Sequence, residues 1–371
     1  MNYKILARKW RPKNFSEVIG QPHIIQTIKN SFLLNKIHQS WIFYGTHGTG
    51  KTTIARLLSQ VLNCTNKKEI YQACHTCTNC KDIENKCFPD LFEIDAASKT
   101  KIEDIKELLD TIKYIPIQGK FKIYLIDEVH MLSKYSFNAL LKILEEPPKY
   151  AKFILITTEI QKIPKTIISR CIFLHFKLIN NIEIEKYLNK ILKLEKIIFE
   201  PSALKILATY ANGSIRDVLN LTEQMILFSN QNITKQKTLN MLGMLDKNQV
   251  LKIIISILQK DSLKLIKLLQ KIYNTNISLE QIFTKILKIL YDIIILQKIP
   301  EYYNIDRSSE YYNTIFKISQ NVNYEELKKY YKIILYGKKK IHLFPNMRIG
   351  IELTLLHLLH IVHDKIDFVK Y

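Results

Sequence analysis

Residues Gly45-Thr46-His47-Gly48-Thr49-Gly50-Lys51-Thr52 spell Gly-x-x-x-x-Gly-Lys-Thr, between a β-rich run, Trp41–Tyr44, and an amphipathic stretch, Thr52–Leu62. Few local patterns constrain a fold so tightly. The turn needs glycine where backbone amides curl around an anion, and a following helix whose N-terminal dipole faces it. Only nine glycines occur in 371 residues, and Gly45, Gly48 and Gly50 fall together. The pattern predicts a phosphate site over Gly45 to Thr53. Lys51 is set to reach the β- and γ-phosphates of ATP, and Thr52 to place its hydroxyl on Mg²⁺. A glycine-rich turn that merely precedes a helix is the competing reading, and the match in both sequence and context weighs against it.

A second run, Ile123-Tyr-Leu-Ile-Asp127-Glu128, ends in two acids. Beside a phosphate loop, Asp127 would hold the magnesium shell and Glu128 would polarise the attacking water. An intact pair points to hydrolysis rather than nucleotide binding alone. Further strand candidates are Leu91–Asp95, Phe121–Asp127, Phe153–Thr158 and Cys171–Phe176, alternating with helical patterns at Ile102–Tyr114 and Tyr135–Glu146. That alternation predicts an α/β fold with a parallel sheet covered on both faces. Thr100 with Glu103 fits a capping box, and Glu146-Pro147-Pro148 closes a helix.

After Phe176 no strand-like run stands out, and apolar residues recur at helical spacing. Pro201 suits a first helical turn, Gly213 a C-terminal cap, and Ser214-x-x-Asp217 a new N-terminus. The expected division is an ATPase domain over 1–178, a helical bundle over 179–242 and a second helical domain over 243–371. Tyrosines crowd 302–331 without an evident mechanism. No window approaches the roughly 18 apolar residues of a membrane span, and the N-terminus lacks an apolar stretch of signal-peptide length, so a cytoplasmic protein is expected. The net charge of +21 invites a polyanion partner, yet the excess is spread evenly. Residues 1–178 hold 27 basic and 16 acidic side chains, and the remainder 28 and 18. Lys outnumbers Arg 48 to 7, so general compositional drift accounts for the charge as well as function does.

Cys74-x-x-Cys77-x-x-Cys80 brings three thiols together, flanked by Cys64 and Cys87. In a chain without a secretion signal such clustering reads as metal before disulfide, and four thiolates suit a structural, tetrahedral Zn²⁺. Spacing leaves the fourth ligand open between Cys64 and Cys87, with His75 a distant third. Arg170, in Ser169-Arg170-Cys171, and Arg216, in the turn opened by Ser214, are scarce enough to note, although either could be an ordinary surface arginine. His357, His360 and His363 share a helical face that reads as a packed seam rather than a metal site.

Taken in order, these residues resemble the gamma/tau family of bacterial DNA polymerase III, the ATPase of the sliding-clamp loader. The resemblance rests on Leu6-Ala-Arg-Lys-Trp-Arg-Pro12, Val18-Ile-Gly-Gln21, the phosphate loop, the cysteines and Ile94-Asp-Ala-Ala-Ser98. It continues through Asp127-Glu-Val-His130, Phe137-Asn-Ala-Leu-Leu141, Leu144-Glu-Glu-Pro-Pro148, Thr157-Thr158, Ser169-Arg-Cys171 and Gly213-Ser-Ile-Arg-Asp217. These motifs span about the first 245 residues; the last third matches only as a helical collar of the expected size.

The resemblance implies an AAA+ P-loop sheet with an inserted zinc module at about 64–87, an all-α lid and an all-α collar that assembles subunits into a ring. It implies Cys64, Cys74, Cys77 and Cys80 as zinc ligands and leaves out Cys87. It implies Thr158 as the γ-phosphate sensor, Arg170 as a finger completing a neighbour's ATP site, and Arg216 as a sensor in the lid. Ala7, Arg11, Val18 and Ile19 would lie near the adenosine. Expected partners are delta- and delta-prime-type subunits, further copies of the chain, the sliding clamp and primed DNA, with no membrane. Lys99, Lys101, Lys106 and Lys142 would touch DNA phosphates, reading duplex shape rather than base sequence. Longer family members carry C-terminal extensions that bind the helicase and polymerase, and this chain ends near the collar, which puts those roles in doubt. Three other readings compete: a passive structural arm, a helicase or branch-migration motor, and a zinc-dependent nucleic-acid-binding module. The complete set Lys51, Thr52, Asp127 and Glu128 argues against the first, and the cysteines with the collar against the second.

Overall fold

The computed structural model describes residues 4–67, 69–98, 110–274, 279–299 and 310–360 and divides into two compact units, Met1–Ile233 and Thr234–Tyr371. The first unit is built on five strands: β1 (Ser40–Tyr44), β2 (Leu91–Asp95), β3 (Lys122–Asp127), β4 (Ala151–Thr157) and β5 (Ile172–His175). Their order in the sheet is β2-β3-β4-β1-β5, and every pairing is parallel. All five lie where apolar runs predict them. The inner strands β3 and β4 are buried almost throughout, which is why they read as continuous apolar runs rather than alternating ones.

Side chains alternate between two cores. Trp41, Phe43, Ile123, Leu125, Ile154 and Ile156 pack to one side with Ile24, Ile28, Ile54 and Leu58. Ile42, Tyr124, Ile126, Phe153 and Leu155 pack to the other with Phe137, Leu140 and Leu144. Among the described residues the helices of this layer are α1 (Leu6–Lys9), α2 (Pro22–Leu33), α3 (Lys51–Asn63), α4 (Thr78–Asn85), α5 (Lys134–Glu145) and α6 (Lys165–Ile168). Helix α5 stops ahead of Pro147, as the paired prolines require.

Among the described residues three further helices belong to the unit: α7 (Asn181–Leu194), α8 (Pro201–Tyr210) and α9 (Ile215–Ser229). Pro201 opens α8, and the Ser214 side chain caps α9 by accepting from the Asp217 amide. Two sequence expectations need correction here. A small parallel pair, β6 (Ile198–Phe199) with β7 (Asn232–Ile233), follows Phe176 after all; two residues are too few for alternation to register. Gly213 is not the immediate cap of α8, because Ala211 ends that helix in right-handed geometry and the left-handed turn falls at Asn212 and Gly213.

The second unit is helical: α10 (Lys235–Met241), α11 (Lys247–Leu258), α12 (Ser262–Tyr273), α13 (Glu280–Lys298), α14 (Glu310–Asn321), α15 (Tyr324–Lys340) and α16 (Met347–His360). Helix α13 is central, burying Ile282, Phe283, Ile286, Leu290 and Ile293 in one core with Ile315, Leu327, Ile334, Ile351 and Leu355. The boundary lies ahead of Gly243, so α10 belongs with this unit. His357 is exposed; the Thr100–Glu103 capping box, most of the Ile102–Tyr114 helix and His363 lie outside the described residues.

Candidate active site

The Gly-rich turn leaves β1 at the carboxyl end of the sheet, where β1 lies between β4 and β5. The Gly45 amide donates to the Thr157 carbonyl at 3.3 Å. A Cβ on Gly45 would stand 2.4 Å from the carbonyl oxygen of Phe176, so the backbone there lies directly on the chain leaving β5. Gly48 (φ 73°) and Gly50 (φ 97°) hold left-handed geometry that opens the loop, and Gly50 leads into α3. Thr49 Oγ1 donates to the Thr46 carbonyl at 2.9 Å, closing the turn. Lys51 is buried and its Nζ folds back onto the carbonyls of Gly45 and Thr46, 2.7 Å from each. Burial pulls the ammonium below its ordinary pKa, and the Glu128 and Asp127 carboxylates offset part of that shift. Thr46 and His47 are exposed at the rim, and Thr53 is half-buried in the first turn of α3.

Two strands away across the sheet, β3 delivers the acids. Thr52 Oγ1 donates to Asp127 Oδ2 at 3.0 Å, and the other oxygen, Oδ1, accepts from the Glu128 amide at 3.0 Å. Glu128 is in left-handed geometry (φ 48°, ψ 45°), which costs a non-glycine residue about 1–2 kcal/mol and turns its side chain back over the sheet edge. There Thr158 Oγ1 donates to Glu128 Oε2 at 3.1 Å. His130 is a residue to which sequence reasoning gave no role. It is nearly buried, with Nδ1 3.2 Å from Thr157 Oγ1 and 3.3 Å from Glu128 Oε2, and Nε2 3.4 Å from Glu159 Oε1. His47 Nδ1 stands 3.5 Å from the other Glu128 oxygen. The Glu128 carboxylate is therefore bracketed by a threonine and two imidazoles.

The lid helices close on the same loop. Gln21, buried, exchanges two hydrogen bonds with the backbone of Lys177. Trp10 Nε1 donates to Glu195 at 2.7 Å, Tyr187 donates to the Trp10 carbonyl at 3.0 Å, and the Leu6 amide donates to Glu223. These contacts fasten the segment with Ala7 and Arg11 to α7 and α9, while Val18 and Ile19 are half-buried at the turn into Gln21. Arg11 is exposed as a residue, yet protein around its guanidinium desolvates it, and Arg56, Arg216 and Arg8 lower its pKa further. Glu93 opposes this and is held by Arg56 in a two-pronged pair at 2.7 and 2.6 Å. The outcome is a guanidinium-rich patch with one carboxylate, suited to a polyanion. Arg216 stands against the phosphate loop, its Cβ 3.4 Å from where a Gly48 Cβ would be.

Cys64 terminates α3, and α4 begins after Cys77. The sulfurs of Cys64, Cys74, Cys77 and Cys80 all lie within 4.8 Å of one another. Amides of Cys74, Cys77 and Cys80 donate to the sulfurs of Cys64, Cys74 and Cys77 at 3.3–3.4 Å. Burial opposes ionisation of Cys74, but hydrogen bonds from Thr76 and Cys77 outweigh it and bring the thiol down to about 5. Burial raises Cys64 and Cys80 instead. Such a mixed set, packed this closely, fits a divalent cation that would let all four ionise. Cys87 is exposed with its thiol directed to the Asn85 carbonyl, and His75 is engaged by Glu84 and Asn14.

Arg170 belongs to the far end of the sheet. β5 begins at Ile172 opposite Trp41, whereas the phosphate loop starts after Tyr44. At ~3.3 Å per residue the loop is ~13 Å beyond Trp41, and Arg170 lies further back still. Its guanidinium donates to the Thr166 carbonyl at 2.7 Å and to Glu145 at 2.8 Å. Lys142 is exposed on α5; Lys99, Lys101 and Lys106 lie outside the described residues.

A phosphate loop, an acid pair at the end of a parallel strand and a lid seated on the loop together define a P-loop ATPase. Residues 20–180 match the family described as DNA polymerase III, delta subunit; residues 183–231 match the DNA polymerase III clamp loader subunit, ATPase lid domain; and 233–367 match DNA polymerase III subunits gamma and tau domain III. The chain is 48% identical over 364 residues to DNA polymerase III subunit gamma of Buchnera aphidicola subsp. Baizongia pistaciae, covering 97% of this chain and 98% of that one. It is 42% identical to the Escherichia coli tau subunit, covering 97% of this chain and 56% of that protein. Among solved structures, the Thermotoga maritima RuvB Holliday junction branch migration motor superposes with a TM-score of 0.47 at 19% identity, over 67% of this chain and 80% of that one. The chain belongs to the gamma/tau subunit family of DNA polymerase III, the ATPase of the replicative clamp loader.

Proposed function

We propose that this chain is the motor subunit that uses ATP to open the sliding clamp and leave it on primed DNA. The observation that carries the reading is the set of contacts joining Thr52 to Asp127, and Glu128 to Thr158, beside Lys51 at the carboxyl ends of β1, β3 and β4. Bound ATP with Mg²⁺ supplies the phosphoryl group and the cation that offsets its charge. Thr52 and Asp127 are the residues to hold that magnesium. Lys51 would exchange the carbonyls of Gly45 and Thr46 for phosphate oxygens, keeping a buried ammonium satisfied throughout. Glu128 orients and deprotonates the attacking water, and Thr158 responds to the γ-phosphate through the carboxylate it already binds. Arg216 reports occupancy to the lid, and Ala7, Arg11, Val18 and Ile19 border the adenosine.

Arg170 acts on a neighbouring subunit's ATP, since in its own chain it stands at the wrong end of the sheet. The helical second unit serves as the collar for assembly with further copies and with delta- and delta-prime-type subunits. Cys64, Cys74, Cys77 and Cys80 hold a structural Zn²⁺ that staples the segment between α3 and β2. Lys142, with Lys99, Lys101 and Lys106, would contact DNA phosphates. Among the described residues no helix is long and apolar enough to cross a membrane; the reading puts the protein in the cytoplasm with the replicating chromosome. The test is ATP hydrolysis by the assembled loader with and without clamp and primed DNA. Stimulation that disappears in Lys51→Ala supports the reading. Hydrolysis indifferent to the clamp would leave an ATPase without the loading role.

A further inference from the structure

We propose that the lid is a working part of the phosphate cradle: the Ile215 amide holds the Gly48–Thr49 peptide so that the Thr49 N–H faces into the loop. This rests on the phosphate-loop reading and extends it. Ile215 is the first residue of α9, and a helix's first amides have no partner within the helix. Here that amide donates to the Gly48 carbonyl at 3.0 Å. Among the described residues no peptide bond is cis, and in a planar trans peptide the carbonyl and the next N–H point in opposite directions. A Gly48 carbonyl aimed at the lid therefore turns the Thr49 N–H away from it, to what on this proposal is the concave side where a phosphate would bind. A hydrogen bond accepted at one end of the unit also polarises the donor at the other.

Gly48 itself supports the inference. It occupies a variable position of the Gly-x-x-x-x-Gly-Lys-Thr pattern, where the left-handed turn of the loop already favours glycine. A Cβ at that site would lie 1.9 Å from Ser214 Oγ, and φ is 73°. The lid seat adds a second, steric reason for glycine at this position. Ser214 is almost fully buried and its Oγ caps α9 at the Asp217 amide (3.2 Å), so it has no room to yield. Arg216 and Ile215 thus act on the nucleotide by different routes, one through charge and the other through backbone orientation.

Ile215→Pro removes the donor with little harm to α9, because proline is favoured at the first helical position. Ser214, at φ −95° and ψ 116°, already has the geometry a residue before proline requires. Ile215→Val keeps the amide and supplies the baseline for lost side-chain bulk. Equilibrium binding of fluorescent ADP and ATP, each with Mg²⁺, is measured on the full chain. The Pro variant is expected to bind both nucleotides about 3- to 10-fold more weakly than the Val variant, the worth of one neutral hydrogen bond. Arg216→Ala should instead weaken ATP more than ADP. Equal binding by the Pro and Val variants overturns the inference. If Lys51→Ala also binds normally, the phosphate-loop reading falls with it; if Lys51→Ala loses binding, only the lid's role is refuted. Should the Pro variant lose helix by circular dichroism, a backbone ester at Ile215, which removes the N–H alone, decides: affinity equal to that of the Val variant overturns the contact.

Discussion

Arg170→Ala separates a residue that serves its own active site from one that serves a neighbour's. In its own chain the guanidinium pairs with Glu145, at side-chain exposures of 35% and 52%. A pair so open to solvent contributes at most about 1 kcal/mol, so the variant should fold normally, with a melting shift of a few degrees or less. Geometry excludes a role in cis: more than ~13 Å of strand separates the residue from its own phosphate loop. An arginine supplied across an interface is worth about 10³–10⁵ in rate, so loss of most of the hydrolysis by an assembled ring is expected. The decisive assay is complementation. Arg170→Ala chains keep a complete nucleotide site but donate no finger, while Lys51→Ala chains donate a finger but bind no nucleotide. Each should be inactive alone. Mixed one to one in a head-to-tail ring, about a quarter of the interfaces join a good site to a good finger, and activity should return to roughly that level. A mixture as inactive as its components would refute the geometric argument, and so would a large loss of folding stability in Arg170→Ala.

Three other outcomes follow from the same structure. Lys152 is buried on β4, its ammonium held by the Ile37 and His38 carbonyls (3.0 and 3.3 Å) and lying 5.0 Å from the Phe121 ring centroid, and desolvation lowers its pKa from 10.5 to about 8. The unfolded chain therefore binds more protons between pH 8 and 10.5, and stability should rise with pH across that window. Below pH 8 the burial costs ~3 kcal/mol, against about 1–2 kcal/mol for carbonyls left without their donor. Lys152→Met should thus gain a net ~1–2 kcal/mol at pH 7 and flatten the rise; urea unfolding followed by tryptophan fluorescence reads this unit alone, since Trp10 and Trp41 both belong to it. An unchanged pH slope would show that the lysine is not desolvated. Purified protein should release about one zinc per chain once its thiols are blocked, and Cys80→Ser none, with metal stripping lowering the melting temperature of this same unit; no zinc in the untreated chain would dismiss the metal. His130→Ala should cut kcat by about 10-fold while leaving nucleotide affinity intact, because it touches Glu128 rather than the phosphate loop; a matching loss of affinity would move His130 into the binding site.

Much of this was legible without coordinates because it depends on neighbours in the chain. The phosphate loop, the acid pair and the five strands are local patterns, and each emerges where it is read. Elements too short to carry a period are different: Ile198–Phe199 and Asn232–Ile233 become strands only because α7 and α9 bring them side by side. The order β2-β3-β4-β1-β5 likewise belongs to packing, and it decides that Thr157 and Thr158 stand between the phosphate loop and the acids.

The amino-acid sequence by itself determined what chemistry the chain can perform, since glycine, lysine, threonine and paired acids at that spacing suit little besides a nucleoside triphosphate and its metal. Tertiary structure decided which groups meet. Spacing left Cys64 and Cys87 equivalent as partners for the other cysteines; the fold gathers Cys64 because it ends the helix beside the cluster, and leaves Cys87 exposed. His130 and Ser214 looked like bystander and cap until β3, β4 and α9 carried them to Glu128 and Gly48. The reason is physical: backbone conformation and helix capping are set within a few residues, whereas the partners of a buried side chain are set by whatever the hydrophobic cores bring against it.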